Sequence, residues 1–195
     1  MLNKLIAKEG YKSIFSFLIL TIVFLIIDCD FLSFVLFALT LWFIFIYRNN
    51  RFIKNYDEED IVSPISGRIS SIDIKKDKKL IYIDVSLFDN HILRAVKSGD
   101  FTVKTTRGTY TFLDSLKAKK LNEKIEIKYK DIKIELITSL FSNRTEIFES
   151  SALKGDKLAV FLNGQVVIEL DNSKELLVNI GNKLHSGKTV IARNQ

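Results

Sequence analysis

A chain of 195 residues with one cysteine and two histidines has room for one domain of ordinary size plus an accessory segment, and it excludes an intramolecular disulfide and a multi-cysteine metal site. It carries 29 Lys and Arg against 23 Asp and Glu, a net charge of +6. Hydrophobic residues make up 47% and charged residues 27% at a mean hydropathy of +0.14, so the two populations must be segregated along the chain.

They are. Lys12 is the last charge before Asp28, and none falls between Phe31 and Tyr47. The apolar runs 14–27 (IFSFLILTIVFLII) and 31–47 (FLSFVLFALTLWFIFIY) hold 14 and 17 residues, each short of the about 20 that a spanning helix needs. Tyr11, Ser13 and Tyr47 can lengthen them. Together the runs predict a transmembrane helical hairpin, with helices over 12–28 and 31–48 inside an anchor of residues 1–54 and Asp28-Cys29-Asp30 at the far membrane face. A cleaved signal peptide fits less well, because the first run is long, no small-residue cleavage site follows and a second run comes at once. Lys4, Lys8 and Lys12 precede the first span, and Arg48, Arg51 and Lys54 follow the second. By the positive-inside rule the chain is then a multi-pass protein of the inner (cytoplasmic) membrane with its domain facing the cytoplasm.

Only three cations and three anions precede Arg48, so the whole net +6 belongs to the later part. A basic domain tethered there should lie against anionic lipid, each juxtamembrane Lys or Arg adding about 1 kcal/mol. The lysines of KKDKK (75–79) and KAKK (117–120) read as solvated turns that could also touch such lipid. Nucleic acid is not the expected partner, since no aromatic and basic interleaving accompanies the charge.

From Ile61 onward the pattern is of strands. The segments 68–74, 79–88, 101–106, 124–130, 132–141, 158–162, 165–170, 176–180 and 188–192 are rich in β-branched residues, mostly alternating, and bounded by turn residues. Residues 55–195 are therefore expected to form an all-β domain, a compact barrel or sandwich, with helix only near 112–121. Asn163-Gly164, between LAVFL and QVVIEL, predicts a two-residue hairpin. LKGDKLAVF (153–161) and IGNKLHSGKTVIA (180–192) share a grammar of Gly, then Asp or Asn, then Lys and an apolar residue. The Gly supplies a conformation that a Cβ would strain, and the short polar side chain closes the turn. Such turns are common in barrels related to biotinyl and lipoyl carriers. A carrier's modified lysine would stand at the tip that Asn163-Gly164 occupies, so no such group is expected.

Four stretches go beyond strand grammar: IVSPISGRI (61–69), DNHILRAVKSGDF (89–101), LNEKIEI (121–127) and KGDKLAVFLNGQV (154–166), with the tail VNIGNKLHSGKTVIA. In this order the chain resembles the short, membrane-anchored form of the phosphatidylserine decarboxylase family, with its SPADGKV, HVNRAPVSG, NER, GERIGMIRFGSRV and VGDKVKAGETVIA segments. IYRNNR (46–51) is similar to the family's FFRDPxR. The resemblance implies a serine that attacks the preceding glycine carbonyl and leaves a pyruvoyl group, the electron sink for decarboxylation. An Asp and a His assist that self-cleavage.

Matched residue by residue, the family's His falls on His91 and its Arg on Arg94, while Ser66 stands for the Asp. Gly164 stands for the glycine, Gln165 for the nucleophilic serine and Val166 for the arginine that follows it. No Ser, Thr or Cys lies between Ala152 and Asp171, so a shift of register supplies no nucleophile. No pyruvoyl cofactor is expected, because it cannot form at Gln165. The resemblance makes His91, Arg94 and Arg144 candidates for substrate binding, with structural histidine and surface ion pair as their plainer readings. His185 reads as a turn residue, and two separated histidines give no metal site.

The expected function is that of a phosphatidylserine decarboxylase-related membrane protein without catalysis. It would bind phospholipid, phosphatidylserine included, or a partner, as a homo-oligomer or with an active homologue. The alternatives are an active decarboxylase making phosphatidylethanolamine and a membrane-tethered β adaptor that binds only protein.

Overall fold

The structure, a computed structural model, describes residues 5–49, 57–75 and 77–194, so Lys4, Arg51 and Lys54 of the expected basic flanks lie outside it. The chain divides into two compact units, Met1–Arg51 and Phe52–Gln195.

In the first unit a 3-10 turn, Lys8–Gly10, leads into helix α1 (Tyr11–Ile26), and helix α2 (Asp30–Ile46) follows a short turn in which Asp28 takes a φ of 53°. The helices pack on each other with Phe17 stacked on Phe43 at 5.0 Å, and Ala7 N–H donates to Tyr47 O at 2.8 Å where their outer ends meet. The buried positions mix apolar and hydroxyl side chains: Ile14, Leu36 and Ile46 beside Thr21, Ser33 and Thr40, whose hydroxyls donate to carbonyls of their own helices, Phe17 O, Asp30 O and Leu36 O. What faces outward is apolar, including Phe15, Ile19, Phe31 and Phe34. Lys8–Ile26 is long and apolar enough to cross a membrane, whereas Asp30–Ile46 is shorter.

In the second unit the strands are β1 (Asp60–Val62), β2 (Gly67–Lys75), β3 (Lys78–Val85), β4 (Ile92–Arg94), β5 (Gly99–Asp100) and β6 (Thr102–Thr106). Helix α3 (Leu116–Leu121) precedes β7 (Lys124–Lys128), β8 (Ile132–Thr138), β9 (Ser151–Ala152), β10 (Lys157–Val160), β11 (Gly164–Asp171), β12 (Lys174–Leu176), β13 (Lys183–Leu184) and β14 (Val190–Asn194). Seven strands form one sheet in the order β13-β2-β3-β11-β8-β7-β6; three smaller sheets pair β1-β14-β12, β10-β4 and β5-β9. The mostly-β expectation holds, but among the described residues the edges β13 and β6 of the large sheet are not joined, so it is not a closed barrel.

Alternation explains which face packs. Ile81, Ile83, Val85, Ile134, Leu136, Val166 and Ile168 point to one side and meet Ile61, Ile65, Leu93 and Phe161 in a single core. The opposite side carries Tyr82, Asp84, Glu135, Gln165, Val167 and Glu169. The run at 176–180 reads as strand in sequence, yet β12 ends at Leu176; Leu177 N–H still donates to Ile191 O at 3.0 Å, and Val178 joins the core. The helix expected near 112–121 begins at Leu116, where Ser115 Oγ accepts from Ala118 N–H at 3.1 Å.

The shared grammar of the two Gly-Asp/Asn pieces is also a shared geometry. Leu153 N–H donates to Asp156 Oδ2 at 3.1 Å and Asp156 N–H to Leu153 O at 3.0 Å; Asn179 N–H donates to Asn182 Oδ1 at 2.9 Å and Asn182 N–H to Asn179 O at 3.1 Å. Gly155 and Gly181 take φ of 83° and 84° in these turns, near the about +80° of the third residue in a type II turn.

Two carboxylates tie the fold to pH. Arg193 on β14 faces Asp60 on β1 and donates to it at 2.8 Å, which holds the nearly buried Asp60 carboxyl below its usual range. Burial pushes the Asp131 carboxyl up, but ion pairs with Lys97 and Lys174 outweigh it and the net direction is down. A carboxyl lowered in the folded state contributes stability that is complete above its unfolded pKa of about 3.9 and is lost as pH falls. Asp60→Asn is therefore expected to lower stability by about 1 kcal/mol at neutral pH. It should also flatten the loss of melting temperature between about pH 5 and about pH 2, measured by circular dichroism.

Candidate functional site

The stretch that the sequence singles out, KLAVFLNGQVVIEL, does not fold back on itself. β10 pairs with β4, and Phe161 N–H extends that ladder by donating to His91 O at 2.9 Å. After Leu162 and Asn163 the chain passes into the large sheet, where Gly164 stands opposite Val85 on one side and Thr138 on the other. The expected hairpin is thus a crossing between two sheets. Asn163 holds the crossing with its own groups: its carbonyl accepts from Ser139 N–H at 3.1 Å, and Nδ2 donates to Leu140 O at 2.7 Å. Gly164 has a φ of 146°, and a Cβ there would lie 2.1 Å from Ile137 O.

Gln165 comes next and turns to the outer face of the sheet. Its Nε2 donates to Asp84 Oδ1 at 2.8 Å, directly across the ladder, and its Oε1 accepts from Lys119 Nζ of α3 at 2.9 Å. Both ends of the amide are thus engaged by a charged group, and the side chain is 8% exposed. Sequence reading finds Gln165 but neither of its partners. Asp84 shows only as a polar position in an alternating strand, and Lys119 as one lysine of a basic run.

The other predicted residues gather around a second centre. Ser66 Oγ accepts from Ser186 N–H at 2.9 Å, and Ser186 Oγ lies 2.6 Å from Ile92 O, the residue after His91. His91 is fully buried, and its Nε2 meets Ser86 O at 3.1 Å. Because a carbonyl only accepts, Nε2 carries hydrogen in that contact. Ser86 follows Val85, the partner of Gly164, so His91 and the crossing approach the same end of β3. Arg94 is 7% exposed, and its Nη1 donates to Gly155 O at 2.9 Å. Arg144 lies at the surface, paired with Glu146 at 2.8 Å. Ser66 is thus joined through Ser186 to Ile92 of β4, next to His91, and Arg94 N–H at the end of β4 donates to Pro64 O at 2.8 Å, two residues before Ser66, whereas Arg144 pairs with Glu146.

Beside the crossing opens a cleft of about 560 Å³ lined by Arg68, Asp84, Phe88, Phe112, Phe141 and Asn163, among others. A larger hollow of about 800 Å³ lies on the outer sheet face over Leu80, Tyr82, Ile137 and Val167. Four of its charges pair, Lys78 with Glu169 and Lys124 with Glu135, and Lys75 and Asp77 line it as well. Among the described residues no three His, Cys, Asp or Glu side chains gather as metal ligands.

A pyruvoyl group needs a hydroxyl or thiol on the residue after the glycine, first to attack the carbonyl and then to leave by β-elimination. Gln165 has neither, so the residues at this position do not fit that group.

Residues 39–192 match the family described as phosphatidylserine decarboxylase. The chain is 26% identical to the phosphatidylserine decarboxylase proenzyme of Pelagibacter ubique, an alignment covering 99% of this chain and 100% of the relative. It is 28% identical to that of Carboxydothermus hydrogenoformans, with 95% of each covered, and 25% identical to that of Desulfotalea psychrophila, with 96% of each covered. No solved structure matches.

Proposed function

We propose, for a chain that belongs to the phosphatidylserine decarboxylase family, a role in phospholipid metabolism at the membrane without self-cleavage or decarboxylation. The observation that carries this is Gln165: at the position of the family's nucleophile stands an amide clasped by Asp84 and Lys119. Ser66, in place of the family's acid, is spent on the Ser186 backbone and carries no charge to set against His91. The relatives are named as proenzymes; the loss of self-cleavage proposed here is assigned to these two positions.

Inner-membrane residence is supported by the outward face of α1 and α2, which exposes large apolar side chains, while the hydroxyls of Thr21 and Thr40 are buried and satisfied within their own helices. The anchor would cross twice and leave residues 55–195 on the cytoplasmic side. The cleft beside the crossing would receive a phospholipid headgroup, with Arg68 as the cation on its wall and His91 behind it. Arg94 and Arg144, the candidates from the resemblance, are not among the residues lining this cleft, whereas Arg68 is, with its Nε donating to Gly181 O at 3.1 Å. An active homologous chain is the natural partner, since it would supply the reaction this chain lacks.

The test uses full-length protein in nanodiscs containing phosphatidylserine labelled at its carboxyl carbon. No labelled CO₂ above the protein-free control is expected, while native mass spectrometry should find phospholipid retained by the chain and several-fold less retained by Arg68→Ala. Sustained release of CO₂ would overturn the proposal.

A further inference from the structure

Three phenylalanines stand out of the second unit around the cleft: Phe88, Phe112 and Phe141, exposed by 68%, 62% and 66%. Each is held out by a braced backbone. Ser86 N–H donates to Asp89 Oδ2 and Asp89 N–H to Ser86 O, both at 3.0 Å, which closes the turn that displays Phe88. Asn122 fixes the residue before Phe112, accepting from Thr111 N–H at 3.1 Å and donating to Thr111 O at 2.7 Å. Phe141 takes a φ of 63°, and Asn163 grips the carbonyl just before it. A bulky side chain at positive φ is an outlier that persists only where the surroundings enforce it. Here that constraint keeps an aromatic ring in solvent.

We infer that Phe88, Phe112 and Phe141 form a rim that seats the mouth of the cleft on an anionic phospholipid surface. Aromatic rings favour the headgroup level of a bilayer, where an apolar body meets a wet edge. The charge agrees: the chain is +6 overall, and Lys117 and Lys120 stand exposed on α3, a few residues beyond Phe112. Asp84, Asp89 and Asp114 oppose them locally, so insertion of the rings provides the contact and the net charge supplies the attraction. A headgroup could then reach Arg68 without leaving the membrane surface. The inference rests on the chain being membrane-bound, and its test separates the two.

Trp42 on α2 is the only tryptophan. In nanodiscs of phosphatidylcholine and phosphatidylglycerol with acyl chains brominated near the headgroup, Trp42 of the unaltered full chain reports whether α2 lies in lipid. In a Trp42→Phe background, Phe141→Trp and Phe112→Trp each report the rim. Phe148→Trp, which is 85% exposed and outside the cleft lining, is the control. Emission at 141 and 112 is expected to fall to less than half that of the control, and to recover when phosphatidylglycerol is omitted. Unquenched emission at both positions overturns the rim even if Trp42 is quenched. A blue shift without quenching, from a second copy or another protein covering the rings, overturns the lipid assignment. The two rim positions guard against a single variant that fails to fold.

Discussion

Purified full-length protein is expected as one species of 22.4 kDa, its backbone continuous through Asn163-Gly164-Gln165, while the Ser66→Asp, Gln165→Ser chain separates into fragments 1–164 and 165–195. The double change returns a hydroxyl beside the Gly164 carbonyl and an acid at the site where Ser66 now accepts from Ser186 N–H at 2.9 Å. An aspartate there keeps an acceptor for that N–H and adds a charge two hydrogen bonds from the residue after His91. Gln165→Ser also frees Lys119 and Asp84, two hydrogen bonds to charged groups. Each such bond is worth about 1.5–3 kcal/mol in a buried setting and less here, where Asp84 is exposed. The unfolding midpoint must therefore be measured beside the mass spectrum. Gln165→Ala makes the same void without a nucleophile and is expected to remain intact. Two fragments from the unaltered chain would overturn the absence of self-cleavage. An intact but folded double variant would mean that more than these two side chains separates this site from a self-cleaving one.

What sequence could say about this site follows from the range of the forces involved. Strand patterning located β2, β3, β6, β7, β8, β10, β11 and β14, because a strand with one face in the core records its own register. It missed β1, β4, β5, β9 and β13, which have two or three residues each and exist only because a distant strand pairs with them. Asn163-Gly164 failed as a hairpin for the same reason: its residues suit a tight turn, but the ladders to Val85 and Thr138 draw Gly164 into another sheet. The missing hydroxyl at Gln165 is legible in one letter of sequence. The clasp that replaces it is not, since Lys119 and Asp84 lie 46 and 81 residues away along the chain. Arg94 shows the reverse. A guanidinium beside a family motif suggests an anion, yet its Nη1 donates to a backbone carbonyl, Gly155 O.

Gly164→Ala is expected to cost about 3 kcal/mol or more and to lower the melting temperature by about 10 °C, read by calorimetry of the full chain. Two causes combine there: a φ of 146°, which only glycine adopts readily, and a Cβ that would lie 2.1 Å from Ile137 O and 2.8 Å from the Phe161 ring. Gly155→Ala separates them, since its φ of 83° is also a glycine conformation but no atom lies within 4 Å of the added carbon. It should cost about 1 kcal/mol. A large gap between the two variants assigns most of the Gly164 effect to close packing of the crossing against β8, and equal losses would refute that. The two letters of the would-be cleavage point then obey different rules. Gly164 is demanded by the sheet whether or not a backbone is ever cut there. Position 165 faces outward to polar partners, so an amide can take the serine's place and the strand still forms.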